Sequence, residues 1–214
     1  VKAAFSHVRA WVFDLDNTLY PPETGLFAQI EPRMTAYVAR AAGVDIDEAD
    51  RLRDLYWRQY GTTLAGLMAE HEVDPGPYLD AVHEIDFSVL DPAPDLARAI
   101  AALPGRRIVY TNGCEPYARN VLAARGLTGV FDAVYGVEHA GFRPKPEQAA
   151  FEAVFALDDL PADRGEMLEE GTRNLAAPRS AGRSSRAKTA SQACLIYTSP
   201  TPRDVEESQL PSSA

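Results

Sequence analysis

Cysteine is scarce: Cys114 and Cys194 are the only two in 214 residues. That is too few for a disulfide framework, and a reducing cytoplasmic setting is the default expectation. No apolar run approaches the roughly 18 residues of a membrane span, and the first residues show no signal-peptide pattern, so no membrane partner is expected. Basic charge is also short, with 21 Lys and Arg against 31 Asp and Glu and a formal net charge of -10. A nucleic-acid surface needs clustered cations, so nucleic acid is excluded as a partner. A small anionic substrate is not excluded, because one metal ion and one lysine can reverse the field within a cleft. No internal repeat is visible. An apolar content of 46% and a charged content of 24% are ordinary globular values, and the length suits one domain carrying an insertion.

Residues 8–13, rich in β-branched and aromatic side chains, read as a buried strand. From 21 to 88 the pattern is helical only. Leu26, Ile30, Met34, Tyr37 and Val38 recur at helical spacing and Gly43 stops them. A second helix over 47–60 carries Leu52, Leu55, Tyr56 and Tyr60 and ends before Gly61. Thr62 and Thr63 cap a third with Leu64, Leu67 and Met68, and Pro75-Gly76-Pro77 starts a fourth around 78–82. From Pro92 helix and strand alternate: helix 95–103, strand 108–110, helix 118–124, strand 131–137, helix 147–155 and a strand remnant at Met167-Leu168. This alternation predicts an α/β fold whose parallel sheet is covered on both faces, with ligands at the carboxyl ends of its strands. The expected division is a core from 1–20 and 91–182, a helical insertion over 21–90, and a tail from 183.

Three groups of residues at predicted strand ends carry chemistry. Asp14 and Asp16 close the first strand at i and i+2, a spacing that puts both carboxylates on one face. Like charges that close repel unless a cation sits between them, and Mg2+ with oxygen ligands is the simplest remedy. The alternative is a strand running into an Asp-Asn-Thr turn. Thr111-Asn112-Gly113 follows the second strand and offers a hydroxyl, an amide and a flexible glycine to phosphate oxygens, or else an Asn-Gly turn. Pro144-Lys145-Pro146 follows the third. Its prolines restrict where the ammonium can point, toward a phosphate and the aspartates or simply into solvent. All three fall in chain order on one α/β pattern.

The order Asp-Leu-Asp-Asn-Thr-Leu-Tyr at 14–20, Thr-Asn-Gly at 111–113 and Pro-Lys-Pro at 144–146 resembles the haloacid dehalogenase superfamily of phosphohydrolases. Tyr20-Pro21-Pro22, Tyr60-Gly61-Thr62-Thr63-Leu64, Gly66-Leu67-Met68 and Val82-His83-Glu84-Ile85-Asp86 narrow the likeness to its pyrimidine 5′-nucleotidase branch. The resemblance implies a Rossmann-like sheet with the helical insertion as a cap that closes over substrate. By it, Asp14 is the nucleophile that forms an aspartyl-phosphate, and Asp16 is the general acid and base. Asp14 and the backbone carbonyl of Asp16 would hold Mg2+, Thr111 and Asn112 the phosphoryl group, and Lys145 the developing charge. The implied substrate is a small phosphorylated metabolite, first a pyrimidine nucleoside monophosphate, with a sugar phosphate, phosphoglycolate or lipid phosphate as alternatives. Tyr56 and Trp57 are expected in the cap core. His83 and His139 show no metal-ligand pattern, and Cys114 has no identifiable base beside it.

Further along, the pattern departs from the family. The register of Asn174-Leu175 puts Glu170 where a metal-binding aspartate would stand, and Glu169-Glu170 could equally occupy a solvated turn. Pro178 interrupts an expected helix, and Arg183-Ser184-Ser185-Arg186 replaces an apolar strand. The expectation is therefore a core truncated on this side and an inactive fragment as a further alternative. Residues 194–204 resemble translated sequencing adapter, so 183–214 is expected to be non-native or disordered. The oligomeric state is left open.

Overall fold

The computed structural model describes residues 8–159 together with the strand segments 165–169 and 184–187. Strand β1 (Ala10–Phe13) is buried at every position, as an all-apolar strand covered on both faces must be. It lies at the centre of the sheet. On one side are β2 (Arg106–Tyr110) and β3 (Ala133–Tyr135); on the other are β4 (Gly165–Glu169) and β5 (Ser184–Ala187). The order is β3-β2-β1-β4-β5, and every pairing is parallel. The α/β architecture expected from the alternation is thus present. Because the order reverses at β1, the crevice beyond its carboxyl end is the switch point where such sheets place ligands.

Two differences from the sequence reading concern strands. The third strand was expected over 131–137 but spans Ala133–Tyr135. Asp132 spends its carboxylate on the Arg107 amide, and the chain turns into a 3-10 segment at Val137–Ala140. The second difference is a correction. No strand was expected where the polar run at 183–186 stands, yet Ser184–Ala187 pairs along β4, with Ser184 opposite Glu166 and Ala187 opposite Glu169. Main-chain groups make a ladder whatever the side chains are, and polar residues suit an edge strand. Hydrophobic pattern alone cannot see such a strand.

Helices α5 (Pro94–Ala101), α6 (Glu115–Ala124) and α7 (Gln148–Leu157) follow in the core. On one side Phe151, Val154 and Phe155 of α7 pack with Val12, Ile108, Tyr110 and Met167. The other side joins Tyr117, Val121 and Leu122 of α6 to Phe13, Val109 and the interior of the helical insertion.

The insertion holds four helices: α1 (Leu26–Ala42), α2 (Ile46–Tyr60), α3 (Thr63–His71) and α4 (Pro75–Val82). Their starts are capped as short polar residues allow. Asp45 accepts from the Glu48 amide at 2.8 Å and Thr62 from the Ala65 amide at 3.1 Å. Gly66 lets α3 cross α2 closely, since a β-carbon there would lie 2.3 Å from Cγ of Tyr56. Tyr56 is core, as expected; Trp57 is not, being 54% exposed. Successive helical residues point about 100° apart, so both cannot face α3. Arg125, just past α6, joins the core to the insertion: it donates to the Leu19 carbonyl at 3.1 Å and to the Asp91 carbonyl. Those carbonyls stand where the chain enters and leaves the insertion. No helix among the described residues is long and apolar enough to cross a membrane.

Candidate active site

The strand β1 stops at Phe13, and its ladder continues for one more bond, from the Asp14 amide to the Leu168 carbonyl at 2.9 Å. Beyond it the chain turns sharply. Thr18 and Leu19 both donate to the Leu15 carbonyl, and Asn17 takes φ 54°, a left-handed conformation that asparagine tolerates. The turn chemistry of Asp-Asn-Thr is therefore real, and the two acids sit at its start. Asp16 reaches its place through this turn, not by strand alternation as the spacing suggested.

Asp14 is 6% exposed and Lys145 1%. The lysine Nζ donates to Asp14 Oδ1 at 2.7 Å and to the Tyr110 carbonyl at 3.1 Å. A buried ammonium is tolerable only with such partners. Thr18 Oγ1 donates to the other Asp14 oxygen, Oδ2, at 3.4 Å.

The loop carrying Lys145 is held by Asn112. Its Oδ1 accepts from the Lys145 amide at 2.7 Å and its Nδ2 donates to the Lys145 carbonyl at 3.2 Å. The structure thus brings Asn112 to Lys145, with both ends of its amide on that backbone. Thr111 is fully buried, its amide donates to the Tyr135 carbonyl, and its Oγ1 accepts from the Gly113 amide at 3.0 Å. The geometry gathers Asp14, Asp16, Thr111, Asn112 and Lys145 at the carboxyl ends of β1 and β2. Glu170 lies outside the described residues.

Sequence reasoning missed two tyrosines. Tyr20 Oη donates to Asp16 Oδ1 at 2.7 Å and Tyr117 Oη donates to the same oxygen at 2.6 Å. The two hydroxyl oxygens are also 3.2 Å apart, a spacing at which either can donate to the other. Burial, and then the Asp16 charge, push both phenols well above their ordinary range, so they remain donors. Tyr20 stands four residues from Asp16, which a turn could have suggested. Tyr117 reads as an ordinary core residue of α6.

His83 is a third unexpected neighbour. It caps the end of α4, stacks on Tyr117 with ring centroids 4.2 Å apart and planes 10° apart, and places Nδ1 3.3 Å from Cys114 Sγ. Cys114 thus has the nearby base that the sequence did not reveal. The pair is nevertheless not activated: burial lowers the His83 pKa to about 4 and raises that of the thiol. A nucleophilic cysteine needs the reverse.

His139 also has partners that spacing did not show. One ligand atom each from Glu115, Glu138 and His139 lie within 4.8 Å of one another. These groups are engaged in joining the start of α6 to the 3-10 segment. The Gly136 amide donates to His139 Nδ1, the Glu115 amide to Glu138, and Arg119 to Glu115.

The Asp14 carboxylate and the Asp16 carbonyl offer oxygen atoms, the donor type that Mg2+ prefers; the Asp14 carboxylate faces the Lys145 ammonium and that of Asp16 the two tyrosine hydroxyls.

A family model of haloacid dehalogenase-like hydrolases matches residues 8–182. The chain belongs to this hydrolase family. Phosphate metabolism protein 8 of Saccharomyces cerevisiae is 25% identical over 138 residues, covering 59% of this chain and 42% of the yeast protein. The hydrolase chain therefore spans less than half the length of that curated relative. Among solved structures, CbbY from Rhodobacter sphaeroides in complex with phosphate matches with a TM-score of 0.59 and 19% identity, over 85% of this chain and 86% of CbbY. The L-2-haloacid dehalogenase of Xanthobacter autotrophicus, solved with chloropropionic acid covalently bound, matches with a TM-score of 0.52 and 20% identity, over 91% of this chain and 85% of that one. At such identities these likenesses are ones of fold.

Proposed function

We propose that this hydrolase cleaves small phosphate monoesters through an aspartyl-phosphate on Asp14, with pyrimidine nucleoside 5′-monophosphates as the substrate class. The observation that carries the reading is the pairing of a buried, lysine-held Asp14 with a second carboxylate, Asp16, two residues on. Lys145 donates to Oδ1 of Asp14 and Thr18 to Oδ2, which orients the carboxylate whose oxygen attacks phosphorus. As the bond from phosphorus to the ester oxygen breaks, Asp16 gives that oxygen a proton and the alcohol leaves. Asp16 then takes a proton from water as the water oxygen attacks the aspartyl-phosphate, which releases inorganic phosphate and restores Asp14.

Thr111 would donate its hydroxyl proton to a phosphoryl oxygen, since its Oγ1 already accepts from Gly113. Asn112 supports the same site by fixing the Lys145 backbone. Mg2+ bound by Asp14 and the Asp16 carbonyl, with Glu170 as a further ligand, would offset phosphoryl charge. The cap excludes water during the reaction. The second acid favours phosphoryl transfer over dehalogenation, since a halide needs no proton to leave. The relative named for phosphate metabolism points the same way.

The test is phosphate release by the full chain from a panel that sets UMP and CMP against sugar phosphates, phosphoglycolate and a soluble lipid phosphate, with and without Mg2+. Release that prefers UMP or CMP, needs Mg2+ and is lost in Asp14→Asn supports the proposal. Preference for another ester corrects the substrate class, and no release from any ester overturns the reading.

A further inference from the structure

Asp16 must present one particular oxygen to the leaving group, and two features described above bear on how it does so. Both tyrosyl hydroxyls donate to Oδ1, at 2.7 Å from Tyr20 and 2.6 Å from Tyr117. A carboxylate oxygen has two lone pairs, and two O–H donors occupy both. A proton placed on Oδ1 would meet two others, so the proton that Asp16 carries is confined to Oδ2. The second feature is that Tyr117 is not held by the core alone. The ring of His83, contributed by the cap, lies flat against it at 4.2 Å. Phe87, also from the insertion, approaches the same ring with a centroid distance of 6.1 Å.

We infer that Tyr117 is a positioning residue that confines the catalytic proton of Asp16 to Oδ2, and that the cap holds Tyr117 in place through His83. This deepens the proposed phosphomonoesterase reading and rests on it. The cap then does more than cover substrate: its seating on the core completes the geometry of the acid without touching it. A cap swung away would leave Tyr117 without its stacking partner and Asp16 less firmly oriented. Proton delivery would weaken while the Asp14–Lys145 pair stayed intact.

The distinguishing measurement is leaving-group dependence in the full chain. An alkyl phosphate such as glycerol phosphate needs a proton delivered to its departing oxygen, whereas p-nitrophenyl phosphate releases a stable phenolate without one. General acid catalysis contributes about 10²-fold or more, and Tyr117→Phe is expected to forfeit roughly tenfold more of kcat on the alkyl ester than on the aryl ester, with KM little changed. His83→Ala should show the same selectivity, and His83→Phe, which keeps a flat ring on Tyr117, should restore the alkyl rate. Tyr20→Phe, which removes the other donor, gives the same readout should Tyr117→Phe fold poorly. An equal loss on both esters, or no loss on either, in whichever of these variants melts like the parent overturns the inference and leaves the phosphomonoesterase reading standing. A parent chain that cleaves neither ester removes the reading, and this inference with it.

Discussion

The ammonium of Lys145 sits 2.7 Å from Oδ1 of Asp14 with both side chains buried, although 131 positions separate them in the chain. Each charge makes the burial of the other tolerable. The contact also links the end of β1 to the loop that follows the 3-10 segment.

Removing one partner should therefore cost far more than removing both. Lys145→Ala is expected to lose about 3 kcal/mol or more, because a buried carboxylate loses its cation. Asp14→Asn with Lys145→Met should recover much of that loss. Urea unfolding of the single and double variants measures both, and both should be inactive.

His83 makes stability depend on pH. Its pKa in the fold is about 4 against an ordinary 6.5. The unfolded chain takes up a proton below 6.5 while the folded one does not until about 4. The contribution of His83 to stability is therefore full above 6.5 and falls as pH drops toward 4. Unfolding curves across that window should show a shallower pH slope for His83→Phe than for the parent.

Gly66→Ala tests the crossing of α2 and α3. The added β-carbon would fall 2.3 Å from Cγ of the buried Tyr56, so the helices must separate. The expected cost is about 1–3 kcal/mol, read as a lower midpoint in chemical denaturation.

Arg125→Ala tests the tie between the core and the helical insertion. It removes donors to the Leu19 and Asp91 carbonyls, which flank the insertion. Hydrogen bonds from charged groups contribute about 1.5–3 kcal/mol, but here the loss should be local. Faster proteolytic cutting at the two crossings, with a small change in global stability, is the expected outcome.

Much of this arrangement was legible in the sequence because it follows hydrophobic runs. Asp14 and Thr111 stand at or just beyond strand ends, and each of those strands is marked by consecutive apolar residues. The four helices of the insertion were legible from apolar spacing and from Gly43, Gly61 and Thr62. Tyr117 was not, because its partner Asp16 is 101 positions away and its own spacing is that of a core residue. Trp57 was expected inside together with Tyr56 on helical spacing, but neighbouring helix positions point about 100° apart and Tyr56 takes the inward direction. The strand Ser184–Ala187 escaped notice for a different reason. It is built by main-chain pairing, which leaves no trace in side-chain hydrophobicity.

Asn112 presents its carbonyl and amide to the N–H and C=O of Lys145, as the peptide of an adjacent strand would. The sheet thereby gains one rung made from a side chain, past the point where its own backbone has turned away. The lysine backbone is consequently indexed to the sheet, as its ammonium is through Asp14 and the Tyr110 carbonyl. Changes in loop length around Lys145 should leave the position of Nζ nearly untouched so long as that rung survives, whereas loss of the amide at position 112 would leave Nζ only its own bonds to Asp14 and the Tyr110 carbonyl.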